Sequence, residues 1–403
     1  MSFVLRWGLA TLLALSVLIG FFPSLPVMRV ISLLALPILL AILVAPARRR
    51  RPGKTPLALA LVWLIGLSVM VQLQAGFEQI GFDPGNMSRV VVEACCVASI
   101  AMLANARIGE ELVQRAFFLA GWLVLLMTVA GIGPASPVSE TPDLSLETRL
   151  TGSSGSTTLT VMAITVLAPY AAARTSRTWL RFGTFVAFAA LVIFVNVKAW
   201  SATGMVAAIF TLAIGASALN LDTPKPGRKF RLVVATMSIV VLSLAMANLA
   251  GSVRVVEKLS SGGGETLSGR TYIWASYWEV FKQNPLLGSG SPVALTDSGY
   301  SNAHNSILEL LALGGIVLLI LMGVLIILAF KSGSSNRRWV AAMTGMLIFS
   351  LTNAVFFIPL AWAVIGAAWS GRKIDEGPRA RAEVDEKPYP DRRLATVARS
   401  VEK

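Results

Sequence analysis

The only histidine of the 403-residue chain, His304, stands where a polar stretch gives way to a long apolar run. A neutral imidazole accepts a proton near physiological pH, so His304 is a candidate general base; an interfacial residue without a chemical role is the alternative. The sequence "SILE" at 306–309 fits a capping box in which the Ser306 hydroxyl and the Glu309 carboxylate close the first turn of a helix. For Asn305, local capping is favoured over catalysis. These three residues are expected to support His304.

The second candidate is Arg270, which follows a glycine-rich stretch and precedes a run of aromatic residues at helical spacing. A guanidinium group makes bidentate contacts to phosphate, and the backbone N–H groups of a glycine-rich stretch and of a helix N-terminus assist such binding. The aromatic residues are typical of a helix that lies in the membrane interface. The segment therefore predicts a short interfacial helix with a candidate phosphate-binding arginine at its start.

Lys198 is a third candidate, because it stands at a predicted helix end among apolar neighbours. An ionisable residue is costly at such a position and is interpreted either as functional or as a side chain that extends to the membrane surface. Lys282, in contrast, is expected to be solvated or paired with a glutamate such as Glu279.

The elements that must position these residues are membrane helices. Apolar residues make up 55% of the chain and charged residues 14%, and the mean hydropathy is +0.71. Apolar runs of roughly 17 to 25 residues recur along the chain, whereas a β-barrel would show alternating segments of about ten. The sequence therefore predicts an all-α polytopic membrane protein with about twelve transmembrane helices. The predicted spans are 4–22, 27–45, 56–74, 89–105, 116–133, 157–173, 182–199, 202–220, 232–250, 306–330, 338–356 and 358–370.

Clusters of Lys and Arg predict the orientation, since short loops rich in these residues stay on the cytoplasmic side. The clusters lie at 47–54, 174–181, 225–231 and 331–338 and in the tail from Arg372. With twelve helices, all of them and both termini fall on the cytoplasmic face. The excess of 35 basic over 21 acidic residues is explained by this topology and by contact with anionic lipid headgroups. A nucleic-acid partner is not required.

The domain organisation follows from the same pattern. The four parts are helices 1–9 (1–250), a large periplasmic loop with the candidate catalytic residues (251–305), helices 10–12 (306–370) and a tail (371–403). The large loop is expected to contain short interfacial helices. The tail alternates charges with Pro and Gly and has almost no apolar face, which predicts a disordered cytoplasmic extension.

Several short motifs resemble a known family. "SGR" followed by Trp, then "NPLLGSG", a short gap and "AHNSILELLALGG" resemble the shared region of the O-antigen ligase and O-antigen polymerase superfamily, which includes exopolysaccharide polymerases. This resemblance covers residues 268–330. The earlier "RLTGSSGS", which begins at Arg149, resembles the family's Arg-x-x-Gly entry to a membrane helix. Where many members carry a basic residue at a helix start, this chain has Ala202, so Lys198 is the candidate to supply that charge.

The resemblance implies a metal-independent, inverting glycosyltransferase without a cofactor. It would move a glycan from undecaprenyl diphosphate to an acceptor hydroxyl on the periplasmic face of a bacterial inner membrane. Arg270, with Lys198 or Arg149, would bind the diphosphate and stabilise it as it leaves. A neutral His304 would act as general base on the acceptor hydroxyl, with nearby arginines keeping the imidazole deprotonated.

Two questions stay open from the sequence. The acceptor is the lipid A core in an O-antigen ligase, which is slightly favoured, and a lipid-linked glycan in an O-antigen or exopolysaccharide polymerase. The alternative from another class is a transporter or flippase for lipid-linked sugars, in which the same cations bind the diphosphate but no bond is made. The lack of a visible inverted repeat argues against it. No Asp-x-Asp pair or His/Cys cluster indicates a metal.

Overall fold

The structure is a computed structural model. It describes residues 3–18, 55–79, 85–130, 157–170, 178–198, 201–218, 270–290, 303–334 and 336–369. Every regular element in these ranges is helical, and none of the described residues forms a strand. The prediction of an all-helical chain is confirmed for this part of the protein.

Eleven α-helices occur in the described residues. They are α1 (Phe3–Val17), α2 (Thr55–Gln79), α3 (Gly85–Arg107), α4 (Glu110–Val129), α5 (Thr157–Leu167), α6 (Thr178–Lys198), α7 (Ala202–Ala218), α8 (Arg270–Gln283), α9 (Ser306–Gly333), α10 (Arg337–Ser350) and α11 (Pro359–Trp369). Short 3-10 turns follow α5 at Ala168–Tyr170 and precede α11 at Val355–Phe357.

The helices form because long runs of apolar residues contain few residues that interrupt helical hydrogen bonding. Four of the described helices are long and apolar enough to cross a membrane, with spans at Leu57–Gln74, Ser88–Ala106, Glu110–Val129 and Ser306–Gly333. In five others the apolar stretch is shorter than 18 residues. Helices coincide with ten of the twelve predicted spans, and the spans predicted at 27–45 and 232–250 lie outside the described residues.

The helices pack closely where small residues meet. Helix α11 lies along α3, and a Cβ atom added to Gly366 would overlap the carbonyl oxygen of Ala98. The buried Asn105 side chain of α3 donates a hydrogen bond from Nδ2 to the carbonyl of Ala367 at 2.7 Å. Membrane helices lack a hydrophobic driving force between them, so close backbone approach and such buried bonds hold this pair together.

A polar cluster joins the start of α4 to the start of α10. Oε1 of Glu110 accepts hydrogen bonds from Gln114 Nε2 at 2.8 Å and from Asn336 Nδ2. Trp339 Nε1 donates to the same oxygen at 3.2 Å, and Arg338 Nη1 donates to Gln114 Oε1 at 2.8 Å. We call these five residues the Glu110 network. It lies at the end of the bundle opposite the start of α9, because α9 spans 28 residues, roughly 40 Å of helix.

The predicted large loop contains one helix in the described residues, α8 at Arg270–Gln283. The rest of the loop that the structure describes is the stretch 284–290 after α8 and residues 303–305 before α9. The tail predicted at 371–403 lies outside the described residues.

Candidate functional site

Helix α9 begins with a cap that differs from the predicted capping box. The Asn305 side-chain oxygen accepts hydrogen bonds from the backbone N–H groups of Ile307 at 3.0 Å and Leu308 at 3.2 Å. Asn305 is therefore the N-cap, as its interpretation as a local cap predicted. The capping box closed by Ser306 and Glu309 was wrong, because the N–H of Glu309 donates to the Asn305 carbonyl at 3.0 Å and the Glu309 side chain accepts from Ala303. The Ser306 and Glu309 side chains make contacts outside the helix instead.

Ser306 binds the turn between α10 and α11. Its buried hydroxyl donates to the carbonyl of Asn353 at 2.6 Å and accepts from the backbone N–H of Val355 at 2.9 Å. Asn305 Nδ2 donates to the carbonyl of Leu351 at 3.1 Å. Three hydrogen bonds thus fasten the segment 351–355 to the start of α9.

Ala303, the residue before His304, is held by hydrogen bonds at both its N–H and its carbonyl group. The N–H of Ala303 donates to Glu309 Oε1 at 3.0 Å, and its carbonyl accepts from Trp274 Nε1 at 2.9 Å. His304 itself has a φ of 49°, in the left-handed region. A residue other than glycine pays about 1 to 3 kcal/mol for such a conformation, and strain of this kind concentrates at functional sites.

Helix α8 packs against this turn through one apolar face. Ile273, Tyr277 and Val280 are buried and form a small cluster with Ala303 and with Ala312 of α9. Burial raises the pKa of the Tyr277 hydroxyl above its usual range, and the Glu309 carboxylate raises that pKa further. Tyr277 is therefore a neutral phenol at physiological pH, enclosed with Glu309 beneath the turn that carries His304.

The opposite face of α8 is exposed. It carries the aromatic side chains of Tyr272 and Trp278, and Lys282 pairs with Glu279 at 2.6 Å. The predicted pairing of Lys282 is confirmed. A pair this exposed contributes little to stability.

The segment after α8 enters a break in α9. Gly315 has φ 63° and ψ −162°, which interrupts the helix, and a Cβ atom at this position would overlap the carbonyl of Leu286. Three backbone hydrogen bonds join the two segments: Ser289 N–H to the Ala312 carbonyl (2.9 Å), Ile316 N–H to the Pro285 carbonyl (2.9 Å) and Val317 N–H to the Leu286 carbonyl (3.2 Å). The loop satisfies backbone groups that the break leaves without helical partners. Gly315 admits this loop, because the lack of a side chain leaves room for the backbone of Leu286.

The start of α7 reaches the same region. The Ser201 hydroxyl accepts from the N–H of Gly204 at 3.0 Å and so caps the helix. Thr352 donates a hydrogen bond from its hydroxyl to the Thr203 hydroxyl at 3.0 Å, and Asn353 Nδ2 donates to Thr352 at 2.9 Å. The segment 351–355 therefore connects the start of α7 to the start of α9.

The predicted site residues fall at helix ends around this region. Arg270 is the first residue of α8, Lys198 the last of α6, and Ala202, where the family often has a basic residue, the first of α7. Arg149 lies outside the described residues. The structure thus brings the helix that starts at Arg270 and the helix start that carries His304 together, and it links the start of α7 to them through segment 351–355.

An apolar groove of about 320 Å³ runs between α2 and α9 beside the break. Leu67 and Val71 line one wall, Val317 and Leu321 the other, and Leu287 of the inserted loop closes one end. The groove reaches Gly314, eight residues after the start of α9, or about 12 Å of helix from the turn at His304.

Sequence reasoning missed three polar residues of this site. Trp274 was counted among the interfacial aromatics and as the Trp that follows "SGR" in the family motif, without a role in the site, and no motif marked Thr352 or Asn353. A signal existed for the last two, because a polar pair between two apolar runs is costly in a membrane unless it is bonded. In the described part of the chain, no group of three or more His, Cys, Asp or Glu side chains is placed to hold a metal ion.

The fold and this site define a multi-pass helical membrane protein with polar residues gathered where several helices begin. Residues 197–323 match the family model described as O-antigen ligase. The match confirms the resemblance to the O-antigen ligase and polymerase superfamily and supports a membrane enzyme of polysaccharide assembly. It includes Lys198, Arg270 and His304 but not segment 351–355. A comparison with curated proteins finds no match.

Proposed function

We propose that this protein is a glycosyltransferase of the O-antigen ligase type, which moves a glycan from undecaprenyl diphosphate to a sugar hydroxyl of the lipid A core. One observation carries the proposal: the 2.9 Å hydrogen bond from Trp274 Nε1 to the carbonyl of Ala303. Trp274 lies one turn after Arg270, and Ala303 directly precedes His304. The bond therefore sets the start of α8 beside the candidate base.

Arg270 is the donor-binding residue in this proposal. As the bond between the anomeric carbon and the phosphate oxygen breaks, the diphosphate leaves as an anion, and a cation that binds it stabilises the transition state. The first turn of α8 also offers backbone N–H groups that have no helical partner, which favours an anion at this end. Lys198 and Arg149 are further cations for the same diphosphate.

His304 is the general base. The acceptor hydroxyl oxygen forms the new bond to the anomeric carbon from the face opposite the leaving diphosphate, so the anomeric configuration inverts. The hydroxyl proton passes to the imidazole, and such a base contributes about 10² to 10⁴ in rate. The chain contains no second histidine to replace it.

The groove between α2 and α9 suits the isoprenoid chain of the donor. Its walls are mostly apolar, and its α9 wall begins at Gly314, about 12 Å of helix from the start of α9. A bulky side chain there should obstruct the lipid, so Val71→Trp is expected to raise the KM for donor about tenfold, a loss of about 1.4 kcal/mol. Ile327→Trp, an exposed position of α9 that does not line the groove, is the control. An unchanged KM for Val71→Trp would remove the groove from the proposal.

The full topology is part of the same proposal: about twelve transmembrane helices in the bacterial inner membrane, both termini cytoplasmic and the site periplasmic. Its support is the distribution of Lys and Arg among the short loops. Cysteines introduced at Ser261 and Ser334, with Cys95 and Cys96 replaced, test it. In spheroplasts an impermeant thiol reagent should label position 261 and not position 334, and the reverse pattern would overturn the topology.

The decisive experiment is reconstitution of the purified protein with an undecaprenyl diphosphate-linked glycan and lipid A core. A new glycosidic product that survives a chelator is expected, because the proposed transfer is metal-independent. Loss of activity with chelator and recovery with magnesium would overturn that part. Movement of donor across the bilayer without product would identify a transporter instead.

A deletion strain separates the ligase from a polymerase. Loss of all glycan-capped lipopolysaccharide on a gel is the ligase result. Retention of caps with a single repeat unit would show that the acceptor is a lipid-linked glycan and that the protein is a polymerase.

A further inference from the structure

Two side chains from different helices hold the single residue Ala303. Trp274 of α8 donates to its carbonyl at 2.9 Å, and Glu309 of α9 accepts from its N–H at 3.0 Å. Ala303 itself is completely buried. Both peptide planes that flank Ala303 are thereby fixed, and the second of them leads directly into His304.

The backbone of His304 has an unusual conformation that its neighbours must hold in place. Its φ of 49° is unfavourable for a residue with a side chain, so the surrounding structure must impose it. Asn305 holds the following residues as the N-cap, and the two bonds to Ala303 hold the preceding one. The backbone of His304 is therefore determined from both sides, which sets the direction in which its imidazole leaves the chain.

Glu309 is a buried residue whose carboxyl group accepts a hydrogen bond from the backbone of Ala303. Its side chain is 4% exposed, and its second oxygen, Oε2, has no hydrogen-bond partner among the described residues. Burial of a carboxyl group costs free energy that hydrogen bonds must offset. We therefore infer that its position beside Ala303 serves a purpose other than stability. In this contact Glu309 Oε1 acts as a hydrogen-bond acceptor for the backbone N–H of Ala303.

We propose that Trp274 and Glu309 are positioning residues for glycan transfer: together they form a clamp on Ala303 that orients the His304 imidazole toward the acceptor hydroxyl. The inference rests on the proposed function for the reaction itself. It adds that the helix beginning with Arg270 controls the base, because Trp274 belongs to that helix. Neither residue touches the reacting atoms in this account.

The kinetic test uses Trp274→Phe, Glu309→Gln and Glu309→Leu in the full-length protein, with Trp278→Phe as the control. Trp278 lies one turn from Trp274 on the exposed face of α8. We expect Trp274→Phe and Glu309→Leu to lower kcat about 10- to 100-fold with donor KM unchanged, since a small misplacement of a reacting group has effects of this size. Glu309→Gln keeps an acceptor oxygen and should retain most of the rate, and Trp278→Phe should match the wild type.

A second readout is independent of activity. His304 is the only histidine, so a histidine-specific reagent such as diethyl pyrocarbonate reports this imidazole alone when the protein is purified with a tag that lacks histidine. Release of the clamp should let the half-buried imidazole move and raise its modification rate severalfold in Trp274→Phe and Glu309→Leu. Thermal midpoints and gel filtration confirm that the compared proteins are folded, and Glu309→Leu alone tests the clamp if Trp274→Phe does not fold.

The outcomes separate the two proposals. If folded Trp274→Phe and Glu309→Leu keep the wild-type kcat and modification rate, the clamp is overturned while the transferase assignment stands. If Glu309→Gln is as impaired as Glu309→Leu, the charge of Glu309 is required and the account of it as a backbone acceptor is wrong. If the wild type makes no glycosidic product, the proposed function fails, and the modification rates still decide whether the clamp exists.

Discussion

The two ends of α9 hold their polar groups by different means. At its far end, the Glu110 network joins α4 to α10 mostly by bonds between side chains, with three donors meeting one oxygen of Glu110. At the start of α9, the side chains of Trp274, Glu309 and Ser306 bond to backbone groups of other segments. In the first arrangement the polar side chains bond to one another. In the second they bond to backbone groups and hold a strained turn in place.

This difference indicates which cluster does chemistry. In the Glu110 network the side chains hydrogen-bond to one another and join two helices. The Glu110 carboxylate already accepts hydrogen bonds from three of them. The turn at His304 is held through the backbone of its neighbours Ala303 and Asn305. The His304 side chain therefore extends from a turn whose position is fixed. The same end of α9 also has the break at Gly315. Irregular backbone is tolerated there because the loop after α8 hydrogen-bonds to the backbone groups that the break leaves without helical partners.

Among the variants considered, His304→Ala should lower the rate of transfer most. It removes the base and leaves the donor site intact, so kcat should fall about 10² to 10⁴-fold while the thermal midpoint stays close to that of the wild type. Turnover of a purified lipid-linked donor measures the first and unfolding in detergent the second. The residual rate should rise with pH, because hydroxide then removes the acceptor proton. Wild-type turnover in the folded variant would show that the histidine is only interfacial.

Arg270→Lys sharpens the assignment of the donor site. The substitution keeps the charge but loses the planar fork that contacts a diphosphate in two places. We expect a loss of about 2 to 4 kcal/mol in transition-state stabilisation, measured as kcat/KM for donor. Lys282→Arg, in the exposed ion pair of the same helix, is the matched control and should be silent. Equal activity of Arg270→Lys and the wild type would contradict a bidentate role.

Gly315→Ala tests whether the broken helix supports the site. A Cβ atom would be strained at φ 63° and would overlap the Leu286 carbonyl, so the free energy of unfolding should fall by about 2 to 4 kcal/mol. Gly323→Ala lies in the same helix with open space around it and should be neutral or stabilising by about 0.5 to 1 kcal/mol. Chemical denaturation in detergent measures both. Similar stabilities for the two variants would mean that the inserted loop adapts to the added methyl group.

Asn336→Ala breaks the Glu110 network and should have the smallest effect on activity. It removes a donor to Glu110 and the N-cap of α10, so the free energy of unfolding should fall by about 1 to 2 kcal/mol. The kcat of the folded protein should be unchanged, because the network lies at the far end of the bundle. A fall in kcat at full folding would show that the two ends are coupled and would weaken the contrast between them.

Much of this arrangement was predictable from local sequence. Composition and apolar run length gave the helices, since a membrane span is defined by about 20 consecutive apolar residues. His304 and Arg270 stood out because ionisable residues are rare beside such runs. The capping box failed for a local reason, as "NSIL" and "SILE" are both plausible helix starts and only the observed bonds choose Asn305 over Ser306.

The helical segments could be predicted from the sequence, because a membrane helix depends on the residues within its own span. The contacts between Trp274 and Ala303, between Thr352 and Thr203, and between the loop after α8 and the break at Gly315 could not, and they appear only in the folded chain. These partners are separated by 23 to 149 positions, and no periodicity in the chain encodes such pairs. They form because buried polar groups must find partners wherever packing brings them together.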